Sequence, residues 1–382
     1  MSVLQEGKIT EEALAELTKR IGVKLRVKQN NELACKENIR RFASGMGDIN
    51  PLWRDEEYAK KTRYGTIVAP PAWYYSVSTP FVQQGLPGVH AFHSGNDWEF
   101  YKPVLLMDRI RPEIIFTGFE EKKSQFAGKM IMEYQDFMLY NQRNELTAKA
   151  KTWIVRTERS AARKTGKYAQ IQLPHPWTEE ELKKIEDDVL KEEIRGAKTR
   201  YWEDVKVGEE MPPLIKGPFG LTDEIAWTIG YRELPAHGAA LRQYRAHPSW
   251  AFRDPDTHAM EPLIGVHWNK HAANGAGLPA CYDIGIQRNA WVLHSLTDWI
   301  GDEGWIKRSY VEYRKFFYFS DVVWLAGKVT KKYVDENGEY CVDLETTGIN
   351  QRQEETTPGH HTVILPSKQA KTWPVEKRLP NK

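Results

Sequence analysis

The densest group of residues suited to chemistry runs from Phe42 to Pro71. Within it, Gly47-Asp48-Ile49-Asn50-Pro51 sets a carboxylate and an amide on a tight turn, because Gly, Asp, Asn and Pro each favour turn geometry for separate reasons. A carboxylate placed there can exchange a proton with a bound water. It can equally serve as an Asx-turn residue that closes the loop. Asp254, Asp256, His258 and Glu261 gather just ahead of His267 and read either as a solvated loop or as a reserve of acid groups. His267 and His271 lie four apart, but no Glu follows His267 to complete a His-Glu-x-x-His zinc motif, so no metal site is expected. His360-His361 reads as loop. No Gly-x-Gly-x-x-Gly follows a strand, and there is neither a P-loop nor a Gly-x-Ser-x-Gly, which removes dinucleotide, nucleotide and serine-hydrolase chemistry.

These residues need elements to hold them. Thr10 to Ile21 and Ala34 to Ser44 read as helices, and Asp55 to Lys61 as a short one with acidic residues in its first turn. Pro70 and Pro71 suit a helix entry, and Ala72 to Gln84 follows with Trp73, Tyr74, Val77 and Phe81 as a buried stripe. Strand-like runs then cover His90 to Tyr101, Arg109 to Phe119, Phe126 to Leu139 and Leu146 to Arg156. The second half repeats this plan. Glu99-Phe100-Tyr101-Lys102 precedes Asp108 at the spacing by which Glu312-Tyr313-Arg314-Lys315 precedes Asp321, and each is followed by a strand hairpin. Tyr282 to Trp299 is then the helical counterpart of Ala72 to Gln84. Between the halves, 160–200 is charged and carries a capping box of Thr178 and Glu181 ahead of an amphipathic helix.

The stretch from Phe42 to Pro71 resembles the hydratase motif of MaoC-like, R-specific enoyl-CoA hydratases, a pattern of Gly-Asp-x-Asn-Pro-x-His-x-Asp, then Ala, then Gly. Matching positions are Gly47, Asp48, Asn50, Pro51, Asp55, Ala59 and Gly65, while Trp53 stands at the catalytic His. The resemblance implies an α+β chain of two tandem hotdog units, each a long helix wrapped by antiparallel sheet, forming a pseudo-dimer. The units fall at 1–159 and 201–366, with a polar tail at 367–382. Laid on the same motif, the second half puts His267 at the His position, Asn269 at the Asp that follows and Pro262 at the catalytic Asp. Eighteen residues beyond His267 lies Gly285, where the family opens its central helix with a glycine N–H that polarises the thioester carbonyl; the same offset from Trp53 meets Pro71, which has no N–H.

The resemblance thus implies catalytic roles for Asp48, His267 and Gly285, and substrate contacts from Asn50, Trp53, Tyr282 and Asp283. Trp53 can instead belong to the core, Gly285 can be a packing glycine, and whether Asp48 reaches His267 is left open. The implied activity is reversible hydration of an enoyl-CoA thioester, or dehydration of a 3-hydroxyacyl-CoA, in a homodimer or hetero-oligomer without a cofactor, and the aromatic richness leans towards a bulky acyl group. Two alternatives stand beside it. One is an acyl-CoA thioesterase. The other is a non-catalytic acyl-CoA-binding subunit, since neither half keeps both Asp and His.

Composition agrees with a globular chain: 382 residues, 41% hydrophobic and 28% charged. A net charge of +2 argues for no nucleic-acid surface. Cys35, Cys281 and Cys341 lie far apart without a CxxC, which fits reducing cytoplasm rather than a disulfide framework. Neither a signal peptide nor a membrane-length apolar run is apparent. The 14 Trp serve either a large core or a pocket for a flat ligand.

Overall fold

The computed structural model describes residue 4 and residues 6–124, 128–158 and 170–380. The expected strand start at Phe126, the first part of the expected linker and the last two residues of the tail lie outside them.

The first repeat begins with α1 (Glu11–Thr18), capped by the Thr10 side chain, and the short β1 (Lys24–Leu25). Helix α2 (Lys36–Met46) buries Ile39, Phe42 and Met46 and stops at Gly47, whose φ of 72° is the left-handed conformation glycine tolerates best. A 3-10 turn (Pro51–Trp53) and α3 (Glu56–Ala59), capped by Asp55, follow. The long helix expected over Ala72 to Gln84 is absent. A 3-10 turn (Pro71–Trp73) leads into one turn of helix, α4 (Tyr74–Val77), and the chain is extended at Ser78. Pro80 supplies the reason, since it disfavours the helical region for Thr79 and cannot donate into a continuing ladder. Strands β2 (His90–Phe100), β3 (Ile110–Ser124), β4 (Gly128–Asn141) and β5 (Leu146–Thr157) complete the repeat.

The connection carries α5 (Glu179–Val189) with the expected capping box. The second repeat contains β6 (Glu210–Lys216), α6 (Leu221–Tyr231), α7 (His237–Ala246), a hairpin of β7 (Ala251–Arg253) with β8 (Met260–Pro262), and α8 (Lys270–Gly275). Helix α9 (Gly285–Ile300) follows, every residue from Ile286 onward buried, and then β9 (Trp305–Glu312), β10 (Val323–Val334), β11 (Tyr340–Asn350) and β12 (Gly359–Ile364).

Ten strands form one antiparallel sheet in the order β1-β3-β4-β5-β2-β9-β12-β11-β10-β6. The order reads the same from either edge once each strand is exchanged for its repeat partner. The seam is β2 against β9, with Gly95 opposite Glu312 and Glu99 opposite Arg308. The turns repeat as well: Asp108 accepts from Leu105 N and Gln142 Nε2, and Asp321 accepts from Tyr318 N and Gln351 Nε2. Helices α2 and α6 cross so closely that a Cβ on Gly45 would lie 2.6 Å from Ala226 O, and one on Gly230 would lie 3.1 Å from Arg41 O. This reciprocal contact relates the two repeats by a pseudo-two-fold axis. The core lies between the sheet and the helices, with α9 as its one full-length central helix among the described residues.

Candidate active site

The turn after α2 fixes Asp48 completely. Its Oδ1 accepts Asn50 N at 2.9 Å, its Oδ2 accepts Trp53 Nε1 at 2.8 Å, and the side chain is fully buried. Asn50 turns its own Oδ1 to Leu52 N at 2.9 Å. At the position where the hydratase motif has a histidine, an indole N–H therefore satisfies the carboxylate. Trp53 and Asn50 also line a cleft of about 620 Å³ whose walls include Pro71, Tyr74 and Trp305. With Pro71 at the helix entry and Trp53 at the histidine position, the Pro51–Trp53 turn itself supplies no imidazole and Pro71 no backbone N–H. Replacing Trp53 with Phe leaves Asp48 Oδ2 without its donor. The expected cost is about 1–3 kcal/mol, read from urea unfolding; an unchanged midpoint would show that water enters to replace the indole.

In the second repeat a 3-10 turn (Leu263–His267) and α8, capped by Asn269, reproduce the Pro51–Trp53 turn and α3 capped by Asp55. His267 therefore falls where Trp53 falls. Its Nδ1 lies 2.8 Å from Tyr282 O, and its ring packs edge-on against the Tyr282 ring with centroids 4.6 Å apart. A carbonyl only accepts, so Nδ1 carries the proton and Nε2 keeps its lone pair. Burial, aided by Arg232, pushes the imidazole down to about 4, which keeps it neutral near pH 7. Three residues beyond Tyr282, α9 opens at Gly285 with no side chain capping it. The first N–H groups of a 16-residue helix concentrate positive potential there. Glycine also fits sterically, because an added Cβ would stand 3.1 Å from the Tyr313 ring and 3.4 Å from His93 O.

The other expected contacts sort differently. Asp283 is buried and paired to Arg288 Nε at 2.6 Å, so its charge is spent within the protein rather than on a ligand. Tyr282 contributes its carbonyl and ring to His267. Asp254 accepts Asn269 Nδ2 at 2.6 Å and three groups of its own turn, which makes it a loop residue. His271 pairs with Asp256 at an exposed position.

Asp48 and His267 are tied to different parts of the second repeat. Asp48 Oδ1 sits 3.6 Å from His294 Nε2, well along α9, whereas His267 is tied to Tyr282 ahead of its first turn. From Gly285 to His294 the helix rises about 13 Å at roughly 1.5 Å per residue. The catalytic Asp position also moves. Since Gly45 corresponds to Gly230, Asp48 corresponds to Glu233 and not to Pro262, and Glu233 is exposed. An insertion carrying α7 and the β7–β8 hairpin separates it from His267, and ungapped spacing skips across that insertion.

Two groups escape sequence reading. Glu224 on α6 is fully buried, neither carboxylate oxygen has a hydrogen-bond partner, and burial with the charge of Asp283 pushes it well above the usual carboxylate range. The second group lies beside Asp48, where His294 Nε2 is 3.0 Å from Glu192 Oε1 and 3.3 Å from Asp298 Oδ2. The only sequence signal there is a His and an Asp four apart in one helix; Glu192 arrives from the connection between repeats.

Residues 19–150 match the family model described as FAS1-like, dehydratase domain region. UPF0336 proteins from Streptomyces avermitilis and Streptomyces coelicolor are each 30% identical over 105 residues, covering 26% of this chain and 67% of theirs. A solved MaoC-like dehydratase superposes with a TM-score of 0.63 at 16% identity, over 91% of this chain and 99% of that one. A MaoC domain protein dehydratase from Chloroflexus aurantiacus gives 0.56 at 11% identity, over 91% and 96%. A Mycobacterium tuberculosis protein described as having a double hotdog fold gives 0.50 at 8%, over 89% and 96%. The superpositions fix the double hotdog fold over both repeats, and the likeness to the two Streptomyces proteins places the chain in the UPF0336 family.

Proposed function

We propose that this chain hydrates an enoyl-CoA thioester, or dehydrates the corresponding 3-hydroxyacyl-CoA, at the second-repeat site. One observation carries the reading: a neutral imidazole with its Nδ1 proton committed to Tyr282 O stands beside the uncapped N-terminus of α9. In the hydration direction His267 Nε2 takes a proton from water as the oxygen bonds to Cβ. Negative charge then moves onto the thioester oxygen, where the Gly285 N–H and the helix dipole stabilise it as an enolate. Return of a proton to Cα completes the addition of water. The imidazolium just formed returns it. In this reading the first repeat is a scaffold, its Asp48 satisfied by Trp53 and its helix entry closed by Pro71.

The test is an acyl-CoA panel with double-bond absorbance and free thiol followed in the same samples. Loss of enoyl absorbance without thiol release is expected. Thiol release without double-bond change would replace the reading with thioester hydrolysis, and binding without either would leave an acyl-CoA-binding subunit.

A further inference from the structure

We infer that Glu192, His294 and Asp298 form a binding site for one divalent transition-metal ion, at a place remote from His267 and independent of the hydratase reading. His294 and Asp298 are four residues apart and so lie on one face of α9. Glu192 reaches them from the connection between the repeats. One ligand atom from each of the three lies within 4.8 Å of the other two.

The imidazole provides the observation that points to an ion. The His294 side chain is fully enclosed, yet neither ring nitrogen makes a hydrogen bond. Nε2 is approached by Glu192 Oε1 at 3.0 Å, Asp298 Oδ2 at 3.3 Å and Asp48 Oδ1 at 3.6 Å. A single ring proton can satisfy one acceptor, not three, and it is aligned with none of them. A cation held at ligand bonds of about 2.0–2.1 Å has neighbouring ligands roughly 3.0 Å apart in an octahedron and roughly 3.4 Å apart in a tetrahedron. The two shorter separations fall on those edges. Glu192 Oε1 also lacks a hydrogen-bond partner, as does the second oxygen of Asp298.

Charge points the same way. Three carboxylates, those of Asp48, Glu192 and Asp298, crowd this volume. The half-buried Lys216 turns its Nζ to Gly47 O at 3.3 Å. One imidazole and two carboxylates suit zinc or manganese better than magnesium or calcium, which prefer all-oxygen sets. Access exists, because Glu192, Ser295 and Asp298 line a cleft of about 920 Å³.

The test uses the full chain after dialysis against a chelator. Titration with Zn²⁺ against a chromophoric competitor is expected to show one tight site per chain. Glu192→Gln and Asp298→Asn should each weaken it by at least ~tenfold, the scale on which metal sites respond to loss of supporting groups. Co²⁺ should give ligand-field absorption in the parent protein that Glu192→Gln loses. Glu192 lies outside any helix and is partly exposed, so this variant remains informative if His294→Ala does not fold. A parent protein that takes up no ion, or one that Glu192→Gln matches in affinity and spectrum, would overturn the site and leave a buried network of carboxylates around His294.

Discussion

His267→Ala lowers turnover of the enoyl-CoA substrate by at least ~100-fold, the lower scale for losing a general acid–base group, with the loss in kcat rather than in KM. The reasoning is geometric first. Nδ1 donates to Tyr282 O at 2.8 Å, so the ring is held in one tautomer with Nε2 as the free lone pair. The pH profile provides a second readout. The imidazole titrates at about 4 because burial disfavours its charged form. As a base it must be unprotonated, so kcat/KM of the parent is expected to be level through neutral pH and to fall only as pH drops through about 4. An unperturbed histidine would give that fall near about 6.5. Activity in His267→Ala equal to that of the parent removes this residue from the mechanism. A profile breaking near 6.5 would leave the residue in place but contradict its buried environment.

The companion variants separate the two repeats. Gly285→Ala presses a methyl against Tyr313 and the His93 carbonyl, and so tests the helix entry. Asp48→Asn, by contrast, acts beside His294, further along α9 than that entry. If the second-repeat site is the working one, Asp48→Asn alters stability before it alters turnover. From the sequence alone Asp48 reads as the acid of the reaction and a ~100-fold loss in this variant is expected; the structure surrounds the same carboxylate with the indole of Trp53 and the Asn50 N–H.

What the sequence revealed and what it concealed follow from the range of the interactions concerned. The turn of Gly47 to Pro51, the Asp55 cap and the capping box of Thr178 and Glu181 depend on neighbours a few residues away, and residue types announce them. The strands of the first repeat were legible from local pattern, and the pairing of the repeats from the matched approach to Asp108 and Asp321, whereas His360-His361, which read as loop, lie in β12 and pair with β9 and β11. The apolar stripe over Ala72 to Gln84 points to a long helix, but Pro80 does not allow one and the helix ends at Val77. The second-repeat Asp position was misread because the insertion between Arg232 and His267 breaks the spacing, and only the crossing of Gly45 and Gly230 restores the register. Glu224 and the Glu192–His294–Asp298 group were invisible for a different reason. Their meaning lies in what surrounds them, and the surroundings come from segments far apart in the chain.

Arg288→Met is expected to lower the free energy of unfolding by about 3–5 kcal/mol, the usual consequence of removing one partner from a buried ion pair. Asp283 is wholly enclosed and its carboxylate meets Arg288 Nε at 2.6 Å. The same guanidinium donates to Lys315 O at 2.6 Å and to Thr356 O at 3.2 Å, so methionine also strands two carbonyls. Even with arginine present, burial holds the Asp283 carboxyl above its ordinary range; without arginine it rises further. The folded variant then binds a proton more tightly than the unfolded chain does, and protonation favours folding. The sign follows: the deficit of Arg288→Met relative to the parent is largest at about pH 8 and shrinks as pH falls towards about 5. Urea unfolding at both pH values measures it. A deficit that does not change with pH would assign the loss to packing and the two carbonyls rather than to an unpaired charge. Asp283→Asn combined with Arg288→Met should recover part of the stability, because the buried charge is then gone from both sides. Arg288 bears on the proposed chemistry too. Asp283 stands two residues before Gly285, and its unneutralised charge would oppose the enolate that the α9 N–H groups are placed to stabilise. The variant should therefore lose turnover at pH values where it is still folded, and Asp283→Asn in the same background should restore it.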